Sequence, residues 1–252
     1  MIPDLHWTTI PLGPIVIQVW GLFVAVGIVV AIWVAKRFAE ARKLDGQLIV
    51  DSAFWVVLAA MLGARIWYVV TEWSQYAAHW VDALKIWQGG MSISGGFVGA
   101  AIAGIIFFRR RNVSFWQYAD ILVFALPLGM AIGRLGCFFI FDHPGTPTDF
   151  FLGEVYYVDG IVRHNHGLYL AINGLLMWLV FLYVRFKWKA QPPYFVTIFL
   201  IWYGASRIWL DSYRINDSEW YHLTAAQWLG IVMVVAGLVI FGTRQIIRKK
   251  YK

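Results

Sequence analysis

Seven apolar runs, at about residues 15–35, 49–71, 92–108, 118–138, 167–184, 194–210 and 226–243, constrain this chain more than any other feature. Each approaches the roughly 20 apolar residues that carry a helix across a bilayer. A segment in lipid must satisfy its own backbone polar groups, so runs of this length are expected as helices. Charge is scarce: 14% of the 252 residues are Asp, Glu, Lys or Arg, where soluble domains carry about a quarter. With 60% apolar residues the chain lacks the polar surface to face water all round. Its 15 tryptophans suit the headgroup level of a bilayer. Seven spans with short loops use up the length, so the expected fold is all-α. It is a polytopic membrane helix bundle of about seven transmembrane helices, in a single transmembrane domain over residues 1–252.

The loop charges alternate. Lys36, Arg37, Arg42 and Lys43 follow the first run, Arg109, Arg110 and Arg111 the third, and Arg185, Lys187 and Lys189 the fifth. Arg244, Arg248, Lys249, Lys250 and Lys252 follow the seventh, so fifteen of the 21 basic residues lie on alternate sides of the runs. The remaining loops carry Glu72, Asp82, Asp149, Glu154, Asp159, Asp217 and Glu219. Basic loops stay inside, which predicts the N-terminus outside and the C-terminus inside. The same clustering explains the net charge of +7 without nucleic acid as a partner. The first 14 residues lack the basic start and apolar core of a cleavable signal peptide, so the first span is expected to be retained. The single cysteine, Cys137, excludes an internal disulfide and a cysteine-based zinc cluster.

Three segments depart from plain spans. The third run opens on Gly89-Gly90-Met91-Ser92-Ile93-Ser94-Gly95-Gly96, which predicts a re-entrant or irregular start packed against protein. Pro127, Gly129 and Gly133 in the fourth predict a kink. The longest outer loop, from about 139 to 166, predicts a short hairpin over 152–162 turning at Asp159-Gly160.

The candidate chemistry lies in charges at or inside these runs. Arg65 falls inside the second run, Arg134 near the outer end of the fourth, and Arg207 and Asp211 end the sixth, with Arg214 beyond. An arginine at the bilayer centre costs about 2.5–3.5 kcal/mol on insertion scales, so each needs a partner or a polar cavity. Four-residue spacing puts Arg207 and Asp211 on one helix face, with Arg214 beside Asp211. Such a pair serves either to pin helices together or to build a site. Three arginines sharing one acid leave surplus positive charge, which calls for an anion. Arginine binds phosphate bidentately, and the abundant membrane anion is a phospholipid head.

Beside Arg134, the stretch Phe141-Asp142-His143-Pro144-Gly145 reads as a turn or as a general base with its orienting acid. His164 and His166 form a further polar cluster. A metal would need a third ligand, which no spaced carboxylate motif supplies, so neither metal nor cofactor is expected. The glycines of 89–96 allow close backbone approach to a lipid phosphate or to another helix.

Taken together, these segments resemble the prolipoprotein diacylglyceryl transferases of bacterial inner membranes. That family's third span opens Gly-Gly-Met-Ser-x-His-Gly-Gly, here Gly89 to Gly96. Its signature Gly-Arg-x-Gly-Asn-Phe-x-Asn-x-Glu-x-x-Gly is similar to the stretch Gly133 to Gly145. Its His-Pro-x-Gln-Leu-Tyr-Glu segment looks like His164 to Leu170. Its Tyr-Gly-x-x-Arg-x-x-x-Glu-x-x-Arg corresponds to Tyr203 to Arg214, and Gly63-Ala64-Arg65 also matches in place.

The resemblance covers essentially the whole chain and implies a multi-pass protein of the bacterial inner membrane, with 139–166 a periplasmic loop region. It implies a transferase that moves a diacylglyceryl group from phosphatidylglycerol to the lipobox cysteine of a prolipoprotein signal peptide, releasing glycerol phosphate. Carried over by position, Arg134 grips the lipid phosphate, and Arg207 with Asp211 forms the arginine–acid pair. Arg65, Arg214, Ser94, Gly95, Gly96 and Gly145 are expected at the lipid. The departures are Ser94 for the motif histidine, Cys137 and Ile140 for the two asparagines, Trp20 for an early tyrosine, and Asp142 and Asp211 for glutamates. With the histidine gone, His143 beside Asp142, or His164, is expected to supply the base. A non-catalytic phospholipid-binding protein of the same fold is the competing expectation. A transporter fits less, because no repeat is visible and the polar residues gather towards the outer half.

Overall fold

The computed structural model describes the whole chain except residues 78, 87–88, 188–193, 216–218 and 251–252 and the side chains of 187, 219 and 244–250. The loop charges expected at Lys189, Asp217 and Lys252 therefore lie outside the described residues, as do the side chains of Lys187, Glu219, Arg244, Arg248, Lys249 and Lys250. The architecture is an all-α polytopic bundle. Its helices are α1 (Val19–Ala41), α2 (Gln47–Thr71), a short α3 (Trp73–Tyr76), α4 (Ile93–Arg110), α5 (Phe115–Ile140), α6 (His166–Lys187), α7 (Phe195–Leu210) and α8 (Ala225–Lys250). Among the described residues six of them, α1, α2, α4, α5, α6 and α8, are long and apolar enough to cross a membrane. The expected run at 194–210 is helical too, but α7 has only 16 residues, about 24 Å at 1.5 Å per residue. It is continued by a 3-10 turn over Asp211–Tyr213.

Residues Lys36–Ala119 form one packed group. Here α2 and α4 meet along small residues, with Gly63 against the Gly95 carbonyl, Gly95 against the Gly63 carbonyl and Gly99 against Ala59. Glycine lets helix backbones touch where no side chain fits. The start of α4 is irregular, as its glycines predict. Gly89 and Gly90 have φ of +86° and +73°, a left-handed conformation that costs glycine little. Their carbonyls turn towards Arg65. Arg65 Nη1 donates to Gly89 O and Gly90 O at 2.6 and 3.0 Å, Nε to Ala83 O at 2.8 Å, and Nη2 to Asp82 O and Lys85 O at 2.8 and 3.4 Å. A guanidinium has five N–H groups, and all five are engaged.

Residues Met1–Ala35 and Asp120–Lys252 form the other group. α7 and α8 cross at Gly204 and Gly230, where an added Cβ would lie 2.5–2.7 Å from the opposite carbonyl. A capping box starts α8: Gln227 N donates to Thr224 Oγ1 at 3.2 Å, and Thr224 N to Gln227 Oε1 at 2.9 Å. Gln227 Nε2 reaches on to Ile208 O at 3.2 Å, tying α8 to α7. At the other end of α7, buried Asp120 of α5 accepts a bond from Val196 N at 3.0 Å. A carboxylate there faces the positive end of the helix dipole.

The loop joining α5 to α6 folds as a three-stranded antiparallel sheet of β3 (Pro144–Pro147), β5 (Val162–Asn165) and β4 (Glu154–Val155), in that spatial order. The hairpin expected over 152–162 is thus present, with Val155 opposite Val162 and Gly160 at φ +70°. Two further hairpins were not foreseen, β1 (Thr9–Leu12) with β2 (Ile15–Gln18), and β6 (Glu219–Trp220) with β7 (Leu223–Thr224). The first residues of the chain join the sheet. Ile2 bridges Glu154 in parallel, and the wholly buried Glu154 carboxylate accepts from Leu5 N at 3.3 Å and Asn165 Nδ2 at 2.6 Å. Burial pushes the Glu154 carboxyl above its usual range, and the Asn165 bond partly offsets this.

The α2–α4 contact yields a direct expectation. A methyl at Gly95 overlaps the Gly63 carbonyl, so Gly95→Ala destabilises the chain by about 1–3 kcal/mol, in the range of core overpacking. Gly96→Ala, where the nearest atom to an added Cβ is Ala60 O at 3.7 Å, changes it little. Denaturant unfolding of the two variants in detergent micelles separates them.

Candidate active site

α5 ends abruptly. Phe141, buried and bonded from its N–H to Cys137 O at 3.0 Å, takes φ +44°. A left-handed residue after a helix stops it and reverses the chain, and a bulky aromatic in that region is a genuine outlier. The strain sits immediately before Asp142 and His143.

The segment carrying those two residues is clamped on both sides. Pro144 pairs with Asn165 of β5, and Gly145 bridges Arg214 beyond α7. Arg163, paired with Asp159 at 2.6 Å, also donates to Gly145 O at 3.3 Å. A Cβ on Gly145 would come within 2.7 Å of His164 Cβ and 2.9 Å of Tyr213 O. Gly145 therefore has a packing reason for being glycine, independent of its expected place at the lipid.

Six expected residues, Arg134, Asp142, His143, Arg207, Asp211 and Arg214, share one electrostatic neighbourhood. The Arg207 and Asp211 side chains are 3% and 0% exposed and meet at 2.9 Å, the i, i+4 pair their spacing predicts. Arg207 Nε and Nη1 are also buried and make no hydrogen bond among the described residues. His143 feels Arg214, Arg134 and Arg207 together. Burial first, and then these three charges, lower its pKa from 6.5 to about 4, so its imidazole is neutral at pH 7. Its Nε2 lies 3.5 Å from Asp142 Oδ2. Burial raises the Asp142 pKa, while Arg134 and Arg214 pull it back down.

Arg134, part-buried in α5, has Nη1 3.8 Å from the sulfur of Cys137. With Asn173, Tyr203, Met130, Met177 and Phe199 it lines a narrow, mainly apolar cavity between α5, α6 and α7.

Other expected site residues lie elsewhere. His164 Nδ1 is 2.7 Å from the Tyr169 hydroxyl, and its ring packs on Tyr169 and Tyr213. Its pKa is lowered by burial alone, so it stands apart from the arginine cluster. Arg65 holds the 82–90 loop with every donor it has, which corrects its expected role as a phosphate ligand. Gly95 and Gly96 face α2 as helix-packing positions, and Ser94 is buried in the same group.

One neighbour was visible in the sequence only as a member of a polar cluster, with no role assigned to it. His166, the first residue of α6, is 1% exposed, and its Nε2 bonds the Leu210 carbonyl at the end of α7. Asn165 starts that helix as its N-cap, accepting from Leu168 N at 3.1 Å. The available signal was a cap residue followed by a polar side chain at the mouth of an apolar run.

The buried pair makes its own test. Removing one partner of a buried ion pair costs about 3–5 kcal/mol, while replacing both with apolar groups is close to neutral. Asp211→Ala is therefore expected to lower unfolding stability by that amount. The combined Arg207→Met and Asp211→Leu variant should recover most of it, with unfolding followed in detergent.

The family model described as prolipoprotein diacylglyceryl transferase matches residues 8–243. The chain is similar to the phosphatidylglycerol–prolipoprotein diacylglyceryl transferase of Synechococcus elongatus, 34% identical over 245 residues, which span 92% of this chain and 85% of the relative. Its likeness to the enzyme of the same name from Geobacillus kaustophilus is 32% over 246 residues, covering 93% and 90% of the two chains. For that of Listeria monocytogenes it is 31% over 251 residues, covering 92% and 90%. A match of this extent means that this chain belongs to the prolipoprotein diacylglyceryl transferase family.

Proposed function

We propose that this protein transfers a diacylglyceryl group from phosphatidylglycerol to the lipobox cysteine thiol of a prolipoprotein, releasing glycerol phosphate. The observation that carries the reading is the convergence of Arg134, Arg207 and Arg214 on a neutral histidine that has an acid beside it. In this reading the chain lies in the bacterial inner membrane with its N-terminus outside. The sheet at 144–165 then faces the periplasm, where the signal peptide presents its thiol.

The chemistry follows from the charges. Arg207 Nε and Nη1, with Arg134, hold the phosphodiester. His143 accepts the thiol proton, and Asp142 orients the imidazole and offsets the charge it gains. The thiolate attacks the diacylglyceryl carbon that is bonded to the phosphate oxygen, not the head-group glycerol carbon. The S–C bond forms as the C–O bond breaks, and the electron pair leaves on the phosphate. Positive groups aimed at that developing charge stabilise the transition state. The step balances with no further reactant.

His143→Ala is expected to lower kcat by about 10²–10⁴-fold, the usual worth of a general base, whereas His164→Phe keeps turnover within a few-fold. Glycerol phosphate release from phosphatidylglycerol with a lipobox peptide, by the purified chain, measures both. A wild-type chain that binds the lipid and releases nothing would favour the non-catalytic lipid-binding reading instead.

The acid limb gives a second test. Only neutral His143 is a base, so kcat/KM should fall as pH drops through about 4, the free-enzyme value. An anion on the arginines offsets their charge, so the limb in kcat, which reports the complex, sits higher. Arg214→Gln removes one of those charges and raises the His143 midpoint towards 6.5, read by NMR titration of the imidazole. A midpoint unmoved by that change would remove the arginines from the account.

A further inference from the structure

Among the described residues, Arg207 and His166 at the α6–α7 junction carry buried polar atoms without hydrogen bonds, and these are of opposite kind. Arg207 Nε and Nη1 are donors without hydrogen bonds among the described residues. His166 Nδ1 is buried and equally unbonded. Its character follows from its ring partner. A backbone carbonyl only accepts, so the bond to Leu210 O fixes the proton on Nε2. A neutral imidazole then presents a bare lone pair at Nδ1. Leu210 lies three residues after Arg207 at the end of α7, and the Arg207 charge acts on His166, so acceptor and donors share one neighbourhood.

These atoms together describe a ligand. The donors call for an anionic oxygen. The lone pair rejects such an oxygen and calls for an O–H or N–H. An ammonium is disfavoured, because Arg214, Arg207 and Arg134 all act on His166 and would repel it. What remains is a phosphate ester whose alcohol part carries a neutral hydroxyl.

We infer that His166 reads a head-group hydroxyl of the lipid whose phosphate Arg207 holds, making it a specificity-determining residue for a hydroxylated anionic phospholipid. The inference rests on the function proposed above and deepens it. A role limited to pinning α6 onto α7 uses Nε2 alone and leaves the second nitrogen an uncompensated buried acceptor, which is destabilising. Filled by a substrate hydroxyl, the same atom discriminates against any head lacking one.

The test compares phosphatidylglycerol with phosphatidylpropanol, which carries the same phosphodiester charge and no head hydroxyl. The wild-type chain should prefer phosphatidylglycerol in kcat/KM by about tenfold or more, the worth of one buried acceptor left unmet. In His166→Leu that ratio should collapse to about 1, whatever the absolute rates. His166→Gln, which keeps an acceptor, should restore part of it. A wild-type ratio near 1 overturns the inference, even if the leucine variant does not fold. So does a ratio unchanged in His166→Leu, or both lipids slowed alike, which would assign His166 to the pin or to the thiol proton. If the wild type transfers from neither lipid, the transferase reading itself has failed. Equilibrium binding of the two lipids to the chain in nanodiscs then decides the inference, and equal affinity overturns it.

Discussion

The ion pair between Arg207 and Asp211 is the constraint on which the charged end of the bundle depends. Two opposite charges with side chains 3% and 0% exposed add little net stability, because their mutual attraction roughly repays their desolvation. Their value is positional. A guanidinium held by its own acid on one side still presents its remaining donors on the other. Those donors point where they do because α7 is fixed along its length. Asp120 caps its start, Gly230 meets it at Gly204, Gln227 holds Ile208, and His166 holds Leu210. Each contact meets α7 backbone, so the register of Arg207 depends on main chain rather than on side-chain rotamers.

Intramembrane charge has a second use in this molecule. Arg65 and Asp120 are as buried as the site residues, and both serve backbone. One gathers five carbonyls of an irregular loop, and the other faces a helix N-terminus. A charge in lipid is costly, so it signals a partner, but the partner can be the fold itself. What separates Arg207 from Arg65 is unspent hydrogen-bonding capacity: Arg65 has none.

That distinction also marks how far the sequence could be read. The spans, the hairpin turning at Asp159-Gly160, the Arg207–Asp211 pair and the irregular start at Gly89-Gly90 follow from local periodicity or local chemistry, and each is visible in the residues concerned. The assignments of Arg65, Gly95, Gly96 and Gly145 depended on what stands opposite them, 17 to 25 residues away for the Arg65 carbonyls. Sequence spacing says nothing about that. His166 was legible only as part of a polar cluster, because its importance lies in which of its two nitrogens is occupied, and the carbonyl that decides this is 44 residues on. The family motifs brought attention to Arg134 and Arg207, whereas the choice of His143 over His164 needed the surrounding charges.

The way Glu154 holds the start of the chain sets an order of assembly. Leu5 N and its acceptor on Glu154 are 149 residues apart, and Ile2 bonds Gly153 and Val155 on either side. Ribosomes deliver residues in sequence, so the earliest segment waits while α1 to α5 are made. Its place exists only after β5 supplies Asn165 to anchor the carboxylate. Closing so long a loop is an entropic step that short-range contacts cannot share. The sheet above the arginine cluster is accordingly a late event, and until it closes the first residues carry an unpaired strand edge of the kind that invites pairing with other chains.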